Sequence, residues 1–77
     1  MAIETFKTNL AKRIKQLRKA KKITQGSLAL KMGFKDKQVV NNYEKNGANP
    51  TAYNLVLLAK ALEVSLDDLV DFSSLKT

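Results

Sequence analysis

The stretch TQGSLALKMGFKDKQVVNNYE, residues 24–44, has the pattern of two short helices joined by a tight turn. Thr24 can cap the first helix, because its hydroxyl oxygen can accept a backbone N–H from the first turn. Gly33 can end that helix, because a residue without Cβ adopts the left-handed conformation at little cost. Asp36 can cap the second helix as Thr24 caps the first. The stretch therefore predicts a pair of helices that the rest of the chain must position.

One side of the second predicted helix is a continuous polar stripe. Offsets of i, i+1, i+4, i+5 and i+8 share a helix face, and here they place together Lys37, Gln38, Asn41, Asn42 and Lys45. Amide side chains match the adenine edge in the major groove of DNA, and Lys matches the guanine acceptors. The alternative is a merely solvated face, but such a face usually carries acids, which this one lacks.

The distribution of charge indicates a polyanionic partner. The net charge is +7, but residues 1–45 hold 12 Lys or Arg against 3 acids, a net charge of +9. Residues 46–77 hold 2 Lys against 4 acids, a net charge of −2. One half of the chain is therefore strongly basic and the other mildly acidic, which is typical of a protein that binds nucleic acid with one surface.

The composition excludes several kinds of chemistry. The chain of 77 residues contains neither Cys nor His, which removes thiolate nucleophiles, zinc–thiolate sites and the commonest general base. No apolar run is long enough to span a bilayer, and the first residues show no signal peptide. We therefore expect a cytoplasmic protein that is not an enzyme, with no cofactor, metal, membrane or small-molecule partner.

Three further helices complete the predicted fold. A basic amphipathic helix is expected at Thr5–Ala20, a fourth helix at Ala52–Leu62 after the cap residue Thr51, and a short fifth helix after Ser65. No β alternation or internal repeat is visible. We predict an all-α fold of five helices in one domain spanning residues 1–77, with its core at about 5–70 and a tail at 71–77.

The pattern as a whole resembles the Cro/repressor-type helix-turn-helix proteins, also called the XRE family, which are lambda-repressor-like in fold. The resemblance runs from about Leu10 to Val70. It is carried by Leu17-Arg18, Ile23-Thr24-Gln25, Leu28-Ala29, Met32-Gly33, Val40, Tyr43-Glu44, Asn49-Pro50, Leu58-Ala59, Ala61-Leu62 and Val64-Ser65-Leu66.

The resemblance implies a transcriptional regulator, expected to be a repressor, that binds double-stranded DNA as a homodimer on a palindromic operator with helix three in the major groove. The implied base-reading residues are Lys37, Gln38, Asn41 and Asn42. Phosphate contacts are expected from Gln25, Lys35, Lys45, Asn46 and Asn49. The family also implies a structural ion pair between Arg18 and Glu44, and a role for Gln25 in bracing the recognition helix.

The chain departs from the common family pattern at a few positions. The loop after Gly33 is one residue longer, with Lys35 as the extra residue, so helix three can begin after either Lys35 or Asp36. The two starts differ by one position in the reading face. Asn46 stands where Gly is usual and is expected to end helix three at positive φ, and Glu63 is expected to strain the end of helix four.

Two questions remain open at the level of sequence. Val70, Phe72 and Leu75 are apolar residues beyond what five helices need, so the tail is a candidate dimer contact. The alternative function is a protein-interaction module or an antitoxin on the same fold. An interaction module would be marked by an apolar or acidic helix three, which the polar stripe does not match.

Overall fold

The computed structural model describes residues 1–75, and within them it contains five helices and no strand. In chain order these are α1 Ile3–Ala20, α2 Gln25–Lys31, α3 Gln38–Asn46, α4 Ala52–Leu62 and α5 Leu66–Leu69. The prediction of an all-α, five-helix fold is confirmed. None of these helices is both long and apolar enough to cross a membrane.

The helices enclose a single apolar core. α1 packs on α3 and α5, while α2 packs on α3 and α4. Full burial of Leu10 and Ile14 on α1 and of Leu28 on α2 places the predicted apolar stripes inside. The other buried apolar side chains are Ala11, Ala29, Met32, Val40, Ala48, Leu58, Ala59, Leu62 and Leu69.

The predicted caps at three helix starts are present. The hydroxyl of Thr24 accepts the Ser27 N–H at 3.0 Å, and the hydroxyl of Thr51 accepts the Asn54 N–H at 3.1 Å. Ser65 likewise accepts the Asp68 N–H at 3.0 Å. Each bond satisfies a backbone donor that the helix itself leaves unpaired, so the starts of α2, α4 and α5 could be predicted from local chemistry.

The start of α1 and the end of α3 differ by one or two residues from the prediction. α1 begins at Ile3 rather than Thr5, and in its first turn the ring of Phe6 packs edge-on against Phe72 with centroids 5.9 Å apart. Asn46 does not end α3 at positive φ but is its last helical residue. The chain reverses at Gly47 instead, with φ 90°.

Contact with α1 explains why Gly47 takes this role. A Cβ at position 47 would lie 3.3 Å from the Cβ of Lys7, and the next residue, Ala48, donates its N–H to the Lys7 carbonyl at 2.9 Å. The loop after α3 therefore crosses α1 at close range, where a glycine fits best. The end of α3 is thus tied to α1 by backbone contacts.

Glu63 adopts the left-handed conformation at the end of α4, with φ 60° and ψ 41°, as its position predicted. Lys22, between α1 and α2, also has a positive φ of 58°, which the sequence did not indicate. Both residues are exposed, so neither side chain opposes the turn by packing.

The end of the described chain folds back on α1. Phe72 contacts Phe6 of the same chain, so this part of the predicted dimer contact is partly buried within the monomer. The carboxylate of Asp71 accepts the Ser73 N–H at 3.0 Å, which lowers the pKa of Asp71. Lys76 and Thr77, the last two residues of the predicted tail, lie outside the described residues.

Candidate nucleic-acid interface

The turn between α2 and α3 determines which side chains α3 exposes. Gly33 has φ 95°, and the Phe34 N–H donates to the Ala29 carbonyl at 2.9 Å, which ends α2. The carboxylate of Asp36 then accepts the Gln38 N–H at 2.9 Å, two residues further along the chain. Asp36 was predicted to be the cap residue of α3, but that position belongs to Lys37, whose side chain makes no cap bond.

Lys37 lies just before α3 rather than in its first turn, which corrects the predicted register by one residue. Its backbone has φ −76° and ψ −2°, and its carbonyl accepts the Asn41 N–H at 2.9 Å. Lys37 therefore contributes only its backbone carbonyl, as a hydrogen-bond acceptor, to the helix, and the first helical residue is Gln38. The extra loop residue, Lys35, is exposed in the turn.

The polar face of α3 reaches solvent as the stripe predicted. Lys37, Gln38 and Asn42 are exposed, while Asn41 is half-buried. Gln38 donates from Nε2 to Oδ1 of Asn42 at 2.9 Å, one turn apart on the same face. Val39, between these residues in the chain, packs against the core.

The candidate phosphate-contacting residues surround this face. Lys45 and Asn46 are exposed at the end of α3, Asn49 is exposed in the following loop, and Lys35 is exposed before the helix. Gln25 differs from these four because it is half-buried at the start of α2. Cationic and amide groups thus lie at both ends of the exposed face.

Behind the polar face lies a buried ion pair between α1 and α3. Arg18 donates from Nε to Oε2 of Glu44 at 2.7 Å and from Nη2 to Oε1 at 3.0 Å. The two side chains are only 12% and 5% exposed. Hydrogen bonding to Glu44 raises the pKa of Arg18 despite the opposing effect of burial. Arg18 also donates from Nη1 to the Ile23 carbonyl at 2.9 Å, so the pair joins α1, α3 and the segment just before α2.

Gln25 connects this ion pair to the polar face. It donates from Nε2 to Oε1 of Glu44 at 3.2 Å and accepts from Nδ2 of Asn41 at 3.2 Å. Gln25 therefore holds α3 from α2, which is the bracing contact that the family resemblance implied.

Arg13 is a structural residue that sequence reasoning missed. It is 9% exposed, and its guanidinium donates from Nε and Nη2 to the Asp68 carbonyl at 3.1 and 2.9 Å. It also pairs with the Asp68 carboxylate at 3.1 Å and reaches Oγ of Ser74 at 3.3 Å. The available signal was its position between Leu10 and Leu17, on the apolar side of α1. Arg13 fastens α5 and the following segment to α1.

Two packed helices joined by a short turn, the second with an exposed face of amides and cations, define a helix-turn-helix DNA-binding protein. The helix-turn-helix family model HTH_3 matches residues 14–69. The chain belongs to this family, as an XRE-type DNA-binding regulator of transcription.

Restriction-modification controller proteins are among the solved structures that resemble this chain. The controller protein C.AhdI from Aeromonas hydrophila is 31% identical with a TM-score of 0.73, over 80% of this chain and 92% of that chain. The wild-type controller protein C.Esp1396I is 32% identical with a TM-score of 0.71, over 84% and 80% of the two chains. A point mutant of C.Esp1396I is 35% identical with a TM-score of 0.71, over 78% and 77%. The curated proteins yielded no match.

Proposed function

We propose that this regulator is a homodimeric repressor that binds a palindromic operator with α3 in the major groove. The observation that carries the proposal is the acid-free exposed face of α3, held in place from behind by a buried ion pair. The base-reading residues that we propose are Lys37, Gln38, Asn41 and Asn42. Amide and ammonium groups of this kind match the donor and acceptor pattern of base edges in the major groove.

The proposed phosphate contacts position the domain on the duplex rather than read its sequence. Lys35 and Lys45 supply positive charge on either side of α3, and Asn46 and Asn49 supply amide donors beyond its end. Gln25 lies at the start of α2, which crosses the backbone in this docking geometry, so its free amide hydrogen is available to a phosphate.

The dimer contact that we propose includes an exposed apolar face at α5. Leu66 and Val70 are 44% and 36% exposed and lie one helical turn apart, with the Val70 N–H bonded to the Leu66 carbonyl at 3.2 Å. Burial of such a face against its own copy across a two-fold axis would remove apolar surface from water. Leu75, partly buried near the end of the described chain, is also included.

The regulated genes that we propose belong to a restriction-modification system, and the protein would then act in the cytoplasm. This part of the proposal is supported by the likeness to C.AhdI and C.Esp1396I, whose structures are described as those of restriction-modification controllers. Reporter assays with the promoter region that carries the bound operator should show lower transcription when the protein is present.

Selection of bound sites from random duplex DNA tests the proposal most directly. We expect a palindrome whose half-sites lie about 34 Å apart, one turn of the DNA helix. Sedimentation of the protein with and without the selected duplex should show a dimer on the DNA. A single unpaired half-site bound by a monomer would contradict the dimer, whereas failure to enrich any sequence would contradict sequence-specific binding.

The variant Gln38→Ala should lose affinity for the selected operator by roughly 1–3 kcal/mol and relax its preference at one or two base pairs. The reason is that Gln38 is exposed at the first position of α3, where it can reach a base edge. Repeated site selection together with fluorescence anisotropy measures both effects.

Lys45→Ala is the matched control for Gln38→Ala, because it removes an exposed side chain from the same helix. Its loss of affinity should be similar for all sequences. The slope of log affinity against log salt should be shallower by about one for each protomer. Operator preference that is unchanged in Gln38→Ala would remove Gln38 from the reading face.

A further inference from the structure

A chain of hydrogen bonds leads from the buried ion pair to the exposed face of α3. It begins at Arg18, passes through both oxygens of Glu44, continues through the amide of Gln25 and ends at the amide of Asn41. The links to and from Gln25 are both 3.2 Å long. The chain therefore joins a group inside the protein to a candidate base-reading group.

The charge of the Glu44 carboxylate determines how the amides of Gln25 and Asn41 are oriented. An ionised carboxylate only accepts hydrogen bonds and a guanidinium only donates them. Gln25 must therefore turn its amide nitrogen toward Glu44, which leaves its oxygen facing Asn41. Since that oxygen can only accept, Asn41 must turn its own nitrogen inward. Reversal of either amide would bring two acceptors together in a partly buried site, at the cost of a lost hydrogen bond.

The neighbouring pair of amides has no such constraint. Gln38 and Asn42 are both exposed and bond only to each other through their side chains. Both amides can reverse together without losing their mutual bond, because each carries a donor and an acceptor. Among the polar side chains of the α3 face, Asn41 is the one whose amide is connected to a buried charge.

We propose that Asn41 is a specificity-determining residue with a fixed polarity, and that Gln25 positions it. With one N–H taken up by Gln25, the groups that Asn41 can offer to a ligand are its carbonyl oxygen and its second N–H. An oxygen acceptor selects a base that presents an exocyclic amino group in the major groove, which is adenine or cytosine. Adenine suits it best, because the second N–H can also donate to N7. The inference rests on the proposed docking of α3 in the major groove.

The test measures the coupling between Asn41 and one amino group of the DNA. This coupling is the loss of affinity on removal of the amino group in wild type, minus the same loss in Asn41→Ala. Site selection with Asn41→Ala first identifies the base pair whose preference disappears. The amino group of that pair is then removed in a synthetic operator, with purine in place of adenine or 2-pyrimidinone in place of cytosine. Wild-type affinity should fall by about fivefold or more, the size of one good base contact. Asn41→Ala should show no further fall beyond the effect of the analogue on the duplex itself.

Gln25→Leu tests the positioning role. In this variant Asn41 is free to reverse its amide. We therefore expect removal of the amino group to lower affinity by less than in wild type and by an amount closer to that in Asn41→Ala. Loss of a phosphate contact from Gln25 would lower affinity for the normal and the modified duplex equally and leave the coupling unchanged. Lys45→Ala is the control: it should bind more weakly than wild type but lose as much affinity as wild type when the amino group is removed. Circular dichroism melts establish that each variant is folded at the assay temperature.

Each outcome has a distinct meaning. If removal of the amino group lowers the affinity of wild type no more than it lowers that of Asn41→Ala, the proposed polarity is overturned. The same is true if Asn41→Ala leaves every base preference intact. Full coupling in Gln25→Leu would overturn the positioning role of Gln25. If wild-type protein enriched no sequence at all, the proposed operator binding would itself fail, and this inference with it.

Discussion

Replacement of Arg18 by alanine is expected to lower the free energy of unfolding by about 3–5 kcal/mol. The substitution leaves the Glu44 carboxylate, which is only 5% exposed, without its charged partner. Removal of one member of a buried pair costs far more than the pair itself contributes, because the remaining charge stays desolvated. For a domain of this size, each 1 kcal/mol changes Tm by about 4–8 °C. Thermal and urea denaturation followed by circular dichroism measure the change.

The controls for Arg18→Ala use one exposed ion pair and an apolar replacement of both Arg18 and Glu44. Lys21→Ala removes an exposed partner of Glu63, at 3.4 Å with side chains 42% and 73% exposed, and should change stability by less than about 1 kcal/mol. The double variant Arg18→Met/Glu44→Met leaves neither charge of this pair buried and should be more stable than Arg18→Ala. A melting temperature of Arg18→Ala close to that of wild type would show that Glu44 regains solvent when Arg18 is removed.

Operator affinity should fall by roughly 10⁴-fold when the salt concentration rises from about 50 to 200 mM. The estimate takes a dimer that neutralises about eight phosphates, which gives a slope of log affinity against log salt near −7. The excess of cations in residues 1–45, net +9, makes counterion release the dominant non-specific term. Fluorescence anisotropy across a salt series, with the selected operator and an unrelated duplex, gives both slopes.

The outcome of the salt series separates two kinds of contact. Phosphate contacts weaken with salt on every duplex, whereas contacts to base edges distinguish the operator from the unrelated duplex at each salt concentration. A slope near −2 would show that only a few of the proposed cations reach the backbone. In that case Lys45→Ala should also leave the slope unchanged.

Local sequence chemistry predicted where most helices begin and end. Thr24, Thr51 and Ser65 each carry a hydroxyl that bonds to the first turn of a helix, and this depends only on neighbours in the chain. The same holds for the positive φ at Gly33 and Glu63. The bounds of α4, Ala52–Leu62, were therefore predicted without tertiary information.

Errors arose where a distant segment decides the local conformation. The end of α3 at Gly47 rather than Asn46 lies against Lys7, 40 positions earlier, where a Cβ at position 47 would be only 3.3 Å from the Cβ of Lys7. The first turn of α1 packs on Phe72 through Phe6, and the guanidinium of Arg13 is bonded to the carbonyl of Asp68. Helical periodicity contains no information about such contacts.

The sequence by itself determined the fold class, the polar stripe of α3 and the pairing of Arg18 with Glu44, the last by family resemblance. The fold class and the polar stripe follow from periodicity, caps and residue type, which act over a few positions. Only the tertiary structure placed Gln25 between Glu44 and Asn41, and placed Lys37 before the helix instead of within it. Hydrogen-bond polarity passes from one side chain to the next through space, so it can be established only after α1, α2 and α3 have been packed together.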